Sequence, residues 1–286
     1  MPALHERVDI DRLRRWIGKE MSAEETLTEA LAARFHATLN LAGQPPREGE
    51  RAPRLIHFCL AQPAVGPDLL SADGHVARGD FLPDIPLPHR MWASGELSFT
   101  GDLLVGQTIR RHSRVAEIEL KKGRTGDLCF VAVDHRIEAE GALRVSERQM
   151  LVYRDASQPG GAALAVPAPD GLARETISPT PALLFRYSAL TFNTHRIHYD
   201  RPYATKIEGY PGLVVQGPLQ ATLLFHFATR TSGGLPPDAF SFRGMSPAFD
   251  LDDLVLCAGK RDGRQRPLWT AHPDGPIAMQ AEASWA

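Results

Sequence analysis

An α+β protein made of two similar units is the fold class this sequence predicts, on three observations. A chain of 286 residues is long for one ordinary domain and suits two of roughly 140. Helix-period apolar spacing gives way to alternating, strand-like runs, and that succession occurs twice. Between the two occurrences, residues 155–175 (DASQPGGAALAVPAPDGLARE) are rich in Ala, Pro and Gly without periodicity, the texture of a linker. The units expected on this basis are 1–154 and 176–286.

Taken in order, VDIDRLRRWIG and SAEETLTEALAARFHATLNLAG carry apolar residues three and four apart, which predicts two opening helices. Ser22 followed by Glu25 reads as a capping box for the second. After the turn-rich QPPREGERAPR and the apolar RLIHFCLAQ comes PAVGPDLLSADGHVARGDFLPDIPLPHR, which has no periodicity. It predicts a long loop over the surface or over a partner domain, and loops of that length often carry function. From residue 91, MWASGELSFTG, QTIRRHSRVAEIELKKG, LCFVAVDHRIEAEG and SERQMLVYR alternate and are punctuated by turn residues, as successive antiparallel strands do. The second half opens with a polar lead-in. An apolar stretch, GLVVQGPLQATLLFHFATR, follows, and then AFSFRGMSPAF, DLVLCAGKR, RPLWTAHP and PIAMQAEASW as further strands.

Composition narrows the function. Hydrophobic residues make up 43% and charged residues 23%, close to ordinary soluble globular proteins, so disorder, collagen and coiled coil are excluded. A net charge of −2 from 32 basic and 34 acidic residues supplies no global field to hold a nucleic-acid backbone or an anionic membrane. Cys59, Cys129 and Cys257 are scattered and odd in number, which predicts buried thiols in a reducing cytoplasm rather than a disulfide framework. No stretch reads as a signal peptide or a membrane span, so a cytoplasmic location is expected.

The densest chemistry lies in residues 190–204, LTFNTHRIHYDRPYA. His195, His198 and Asp200 are donors enough for a partial zinc or iron site, but Arg196 and Arg201 beside them oppose a cation, and no metal is expected. Two arginines without a wider basic face do not make a nucleic-acid loop. Asp200 before Arg201–Pro202 reads as a helix cap. An acid/base reading fits His198 and Asn193: a neutral imidazole takes a proton from water near pH 7, and an amide oxygen beside it orients that water. Downstream, in EGYPGLVVQGPLQATLL, a strand-like run meets a helical one at Gly217–Pro218. The Gly217 N–H at such a helix start can stabilise a developing oxyanion.

The segments SALTFNTHRIHYDRPYA and GYPGLVVQGPLQATLL resemble the hydratase signature of the MaoC-like, (R)-specific enoyl-CoA hydratase superfamily of hot dog folds. More closely, they resemble the subgroup of itaconyl-CoA and mesaconyl-C4-CoA hydratases and mitochondrial 3-hydroxyacyl-thioester dehydratases. RMWASGELSFTGDLLVGQTIRRHSRVAEIELKKGRTGDLCFVAVDHRI is similar to that subgroup's amino-terminal hot dog domain, so the likeness runs from about residue 85 onward. The resemblance implies a double hot dog, each unit a curved antiparallel sheet around a central helix. The first unit would shape the acyl pocket and the second hold the catalytic segment. His198 matches the signature histidine, Gly217 the glycine whose N–H polarises the thioester carbonyl, and Asn193 falls where the wider superfamily has aspartate. An asparagine cannot exchange a proton, so either His198 does the proton transfer with Asn193 as an orienting amide, or Asp200 reaches in as a second carboxylate.

The implied activity is reversible addition of water to a short branched dicarboxylic enoyl-CoA, with no metal or redox cofactor and (S)-citramalyl-CoA as the hydrated partner. Arg196, Arg201, Tyr199, Gln216 and Arg243 are the candidate contacts to the acyl-CoA, and Arg90, Arg110, Arg111 and Arg186 lie in other polar stretches. Three alternatives remain: a 3-hydroxyacyl dehydratase acting on carrier protein or CoA, a thioesterase on the same fold, and, given Asn193, an inactive acyl-CoA-binding protein. A homodimer is the expected assembly, although two hot dog units in one chain can complete the usual double unit internally.

Overall fold

The computed structural model describes residues 8–123, 126–155 and 166–286. Its centre is one ten-stranded antiparallel sheet. The first half supplies β1 (Glu20–Thr26), β2 (His89–Phe99), β3 (Thr108–Gly123), β4 (Gly126–Ala139) and β5 (Ala142–Arg154). The second supplies β6 (Ala173–Ile177), β7 (Ala239–Gly244), β8 (Leu254–Ala258), β9 (Gln265–Ala271) and β10 (Ile277–Ser284). The order across the sheet is β1-β3-β4-β5-β2-β7-β10-β9-β8-β6. Each half therefore has the same internal order, first-third-fourth-fifth-second. They join where the two second strands pair, from Ser94 opposite Arg243 to Ser98 opposite Ala239. This is the double hot dog that the resemblance implies, and it carries the two similar α+β units that the sequence pattern predicts.

The helices are α1 (Ile10–Arg14), α2 (Glu29–Thr38), α3 (Pro181–Leu190) and α4 (Gly217–Thr231). α4 is the central helix. Nine of its fifteen residues are buried, each large apolar side chain contributing roughly 1.5–3 kcal/mol. Phe225 packs 5.4 Å from Phe240 on β7 and 5.3 Å from Phe99 on β2, so the core is continuous across both halves. The helix stops at Gly233 and Gly234, both in the left-handed region, with Gly234 N–H returning to Thr229 O. Among the described residues no helix is long and apolar enough to cross a membrane.

Two expectations fail at the sheet edges. Residues 20–26 form β1, not the start of a helix, and each pairs with a residue of β3. Ser22 Oγ hydrogen-bonds His112, and Glu25 accepts the Ala61 N–H, so the expected capping box does not form. Thr28 caps α2 instead, its Oγ1 accepting from Leu31 N at 3.2 Å. The linker expected over 155–175 overlaps β6 at its end; its residues 156–165 lie outside those described. The four strands read in the first half and the four read after GLVVQGPLQATLLFHFATR are all present.

Candidate active site

The candidate segment is built where α3 ends. Phe192 turns the chain in the left-handed region, and Asn193 N–H bonds Ser188 O at 2.9 Å. Asn193 Oδ1 then accepts the His195 N–H at 3.1 Å, an Asx turn that leads into a 3-10 turn over Arg196–His198. The amide oxygen expected to orient water thus already serves the backbone.

His198 lies where its spacing places it, buried and fixed. Its Nδ1 is 2.7 Å from Val214 O; a carbonyl only accepts, so Nδ1 carries the proton and Nε2 is the bare, basic nitrogen. Burial pushes the imidazole down to about 4, with His75 adding to the shift and the Val214 bond opposing it. His198 is therefore neutral at pH 7. Val214 N–H also bonds Ile197 O at 3.0 Å. The same residue thus ties the histidine to the strand-like run that ends at α4.

Gln216 precedes α4 with φ −58° and ψ 135°, and the first bond inside the helix runs from Gln220 N to Gln216 O. The Gly217 and Leu219 N–H groups ahead of it have no intrahelical acceptor, and the helix dipole adds to their pull on negative charge. A Cβ at Gly217 would sit 3.7 Å from Trp92 O and 3.9 Å from Met279 Cε, ordinary contacts. The protein's own packing therefore does not require glycine there.

The long loop of the first half docks onto this segment. Arg196 N bonds Asp73 O at 2.9 Å, Arg196 Nη1 donates to Ala72 O at 3.1 Å, and Thr194 Oγ1 donates to Gly74 O. Gly74 has φ +89°, and a Cβ there would lie 1.9 Å from Thr194 O, so only glycine permits the approach. The loop delivers Asp73 and His75, joined Oδ2 to Nδ1 at 2.8 Å. His75 packs on His195 with ring centroids 4.1 Å apart, and His195 meets His198 edge-on at 5.4 Å.

Burial and the Arg90 charge lower His75 to about 4, against the pull of Asp73. Burial, then the neighbouring His75 and His198, push His195 lower still. Burial would raise the Asp73 carboxyl, but its hydrogen bond and attraction to His75 overcome this and hold it well below the carboxylate range.

The remaining candidates separate. Asp200 is spoken for: Oδ1 caps Tyr203 N at 3.1 Å, and Oδ2 takes Arg196 at 2.7 Å. As a second carboxylate it would have to leave both partners. Arg196 stacks over Tyr203, and Arg201 pairs with buried Asp250. Tyr199 donates to Thr194 O at 3.0 Å. Arg243 is exposed on β7, between Ser94 of β2 and Gln280 of β10. Gln216 is buried, with Nε2 on Leu184 O and Ser188 Oγ, while its Oε1 has no protein partner.

The donor trio that the sequence suggested, His195, His198 and Asp200, is not the one that assembles. Asp73, His75 and His195 bring ligand atoms within 4.8 Å of one another, but the charges of Arg78 and Arg90 bear on His75 and oppose a further cation. Sequence reasoning missed Asp73, Gly74 and His75. The available signal was the length and turn-rich composition of their loop.

A family model described as hydroxyacyl-thioester dehydratase type 2 matches residues 55–250. Mesaconyl-C(4)-CoA hydratase of Chloroflexus aurantiacus is 42% identical over 269 residues, 93% of this chain and 95% of that protein. A MaoC-like dehydratase from Phytophthora capsici superposes with a TM-score of 0.72 at 14% identity, covering 98% of this chain and 99% of that one. A Mycobacterium tuberculosis protein described as a double hot dog fold superposes with a TM-score of 0.54 at 16% identity, covering 94% and 96% of the two chains. At such identities the two structures speak only to the fold. The matched region holds the docked loop, the His198 segment and the start of α4 together, and the chain belongs to the hydroxyacyl-thioester dehydratase type 2 family, a hydro-lyase on a double hot dog fold.

Proposed function

We propose that this enzyme reversibly hydrates a short, branched dicarboxylic enoyl-CoA of the mesaconyl-C4-CoA type, giving (S)-citramalyl-CoA. The observation that carries the chemistry is a neutral imidazole with a bare Nε2 at His198, held by the Val214 carbonyl three residues ahead of Gly217, whose N–H opens α4 with no partner among the described residues. Water attacks the β-carbon, the π electrons move onto the thioester oxygen, and the Gly217 N–H holds that charge. The thioester carbonyl is itself the electron sink, so the reaction calls for no metal or redox cofactor.

The 42% identity to a mesaconyl-C(4)-CoA hydratase supports the substrate class. Arg90 supports it from the site. This cation, two residues before Trp92 on β2, acts electrostatically on His75 and His195 and has no carboxylate partner among the described residues, which suits the free carboxylate of such a substrate. A 3-hydroxyacyl-thioester dehydratase of fatty-acid chains is the second reading, favoured by the family description.

Loss of the enoyl-thioester absorbance with mesaconyl-, itaconyl- and crotonyl-CoA, assayed side by side, separates the two. The branched dicarboxylic thioesters are expected to turn over with the highest kcat/KM. Faster crotonyl-CoA hydration that improves with chain length would overturn the substrate class, and no turnover of any of them would leave a binding protein.

A further inference from the structure

Hydration rearranges protons in two places: water loses one as its oxygen bonds the β-carbon, and the α-carbon gains one. A second ionisable group beside His198 lets one ring hold the water while the other carries its proton from oxygen to the α-carbon. The segment itself offers none, because Asn193 does not titrate and its Oδ1 closes the turn at His195. Both oxygens of Asp200 are engaged by Arg196 and Tyr203.

We propose that the Asp73–His75 pair, carried in by the first half's loop, is the second proton-transfer group of this site, with His75 catalytic and Asp73 its positioning residue. This assignment rests on the hydratase reading above. It stands on geometry. Asp73 accepts from His75 Nδ1 at 2.8 Å and from His75 N–H at 3.0 Å, and Ser71 Oγ holds Asp73 from the other side at 2.6 Å. With the proton on Nδ1, the bare nitrogen of His75 is Nε2, the same tautomer as His198.

The ring is placed by a loop that cannot slide: Gly74 fits against Thr194 O without room for a Cβ, and Arg196 holds the Ala72 and Asp73 carbonyls. His195 lies between the two bases, in contact with both rings. The charged and titratable groups acting on His75 are Asp73, Arg78 and Arg90, with His195 and His198 beyond.

In the forward step His75 Nε2 takes one proton of the water while the other hydrogen is held by His198 Nε2. The oxygen bonds the β-carbon, and the double-bond electrons pass to the thioester enolate on Gly217. The imidazolium, balanced by the Asp73 carboxylate, then gives its proton to the α-carbon and returns to neutral. One water is consumed and nothing else is required.

The test uses the full-length chain and whichever enoyl-CoA the wild type hydrates, with melting temperature as the control for folding. His75→Ala is expected to lose 10²–10³-fold in kcat with KM little changed, and to regain at least tenfold in the presence of free imidazole. Asp73→Asn is expected to lose about 10–10²-fold, the carboxylate no longer stabilising the imidazolium. The acid limb of the pH–rate profile is expected to steepen with two protons in wild type and with one in His75→Gln.

Wild-type rates in His75→Gln, or an unchanged two-proton limb with only a lowered melting temperature, would reduce the loop to a brace and overturn the assignment. Activity abolished by EDTA and restored by zinc would make Asp73, His75 and His195 a metal site and overturn it too. Absence of hydration by wild type with all three thioesters would count against the function proposed above, whereas turnover that is indifferent to His75 counts against this assignment alone.

Discussion

The two halves of the sheet share one strand order and put it to different uses. In each, the segment between the first and second strands departs most from the repeat. In the second half that slot holds α3, the His198 segment and α4; in the first it holds α2 and the long loop bearing Asp73 and His75. The interiors differ as well. The first half buries an ionisable network, Glu147 with His57 at 3.5 Å and His135 held by Ser113 and Gln149. The second buries neutral pairs, Gln220 with Thr270 at 2.7 Å and Tyr187 with Thr222 at 3.1 Å. On the proposed reading, one half carries the reacting groups around a neutral core, and the other supplies a wall and one loop.

Removing the base of the second half should do the greatest damage. His198→Gln keeps an amide N–H to satisfy Val214 O but has no basic nitrogen, so kcat is expected to fall 10²–10⁴-fold with the melting temperature nearly unchanged. Steady-state kinetics beside a thermal melt checks this. A variant within tenfold of wild type would move the chemistry out of the second half.

In the first half the corresponding change should cost stability instead. Glu147→Gln leaves His57, His135 and the Arg111 charge without their carboxylate in a buried setting, a change expected to cost about 3–5 kcal/mol. Acid acts on the same groups. Burial pushes His135 down to about 4, against an ordinary value of 6.5, so the unfolded chain takes up its proton first and stability falls as pH drops from 6.5 toward 4. Burial alone would raise Glu147, but its bond to His57 and the charges around it hold it below 4.5; its contribution is present above that pH and is lost as pH falls further. Melts across pH 7 to 4 are expected to show a steady loss in wild type. Glu147→Gln should lack the carboxylate part of that loss, while activity per folded molecule is retained.

Gly217 separates space from packing. Gly217→Ala is expected to fold as well as wild type or better by about 0.4–1 kcal/mol, because its Cβ meets only ordinary contacts and the unfolded chain loses freedom. The same methyl group would crowd a thioester oxygen held at the proposed oxyanion donor. A 10–10²-fold loss in kcat with undiminished stability is the expected outcome. Unaltered kcat would place the thioester oxygen elsewhere.

The fold was legible where strands are half-buried and alternate cleanly, as in β3, β4 and β5. The strands that escaped notice, β1 and β6, are the equivalent first strands of the two units and the two edges of the sheet. Edge strands are kept polar to discourage further pairing, so EMSAEET reads as a helix start and ARETI as linker. In the candidate site, His198 and Gly217 could be picked out because two nearby segments of the chain carry them. Asp73 and His75 could not, because their placement depends on contacts such as Gly74 with Thr194, 120 residues apart. No local pattern encodes that encounter.

The smallest expected effect bears on Asn193, where the resemblance of its segment to the hydratase signature would place an aspartate. In Asn193→Asp a carboxylate oxygen can still accept the His195 N–H, so the turn should survive and the melting temperature should move little. The new charge lies beside His195, whose imidazole is held neutral by burial and by its two histidine neighbours, and it should raise the pKa of that ring. If the work of the missing carboxylate has passed to the first half's loop, kcat changes by less than about tenfold and the acid limb of the pH profile shifts to higher pH. The double variant Asn193→Asp/His75→Ala then decides the matter. Partial recovery over His75→Ala means that the two positions are alternative seats for one role, whereas no recovery means that the second half cannot reclaim the function once its partner loop supplies it.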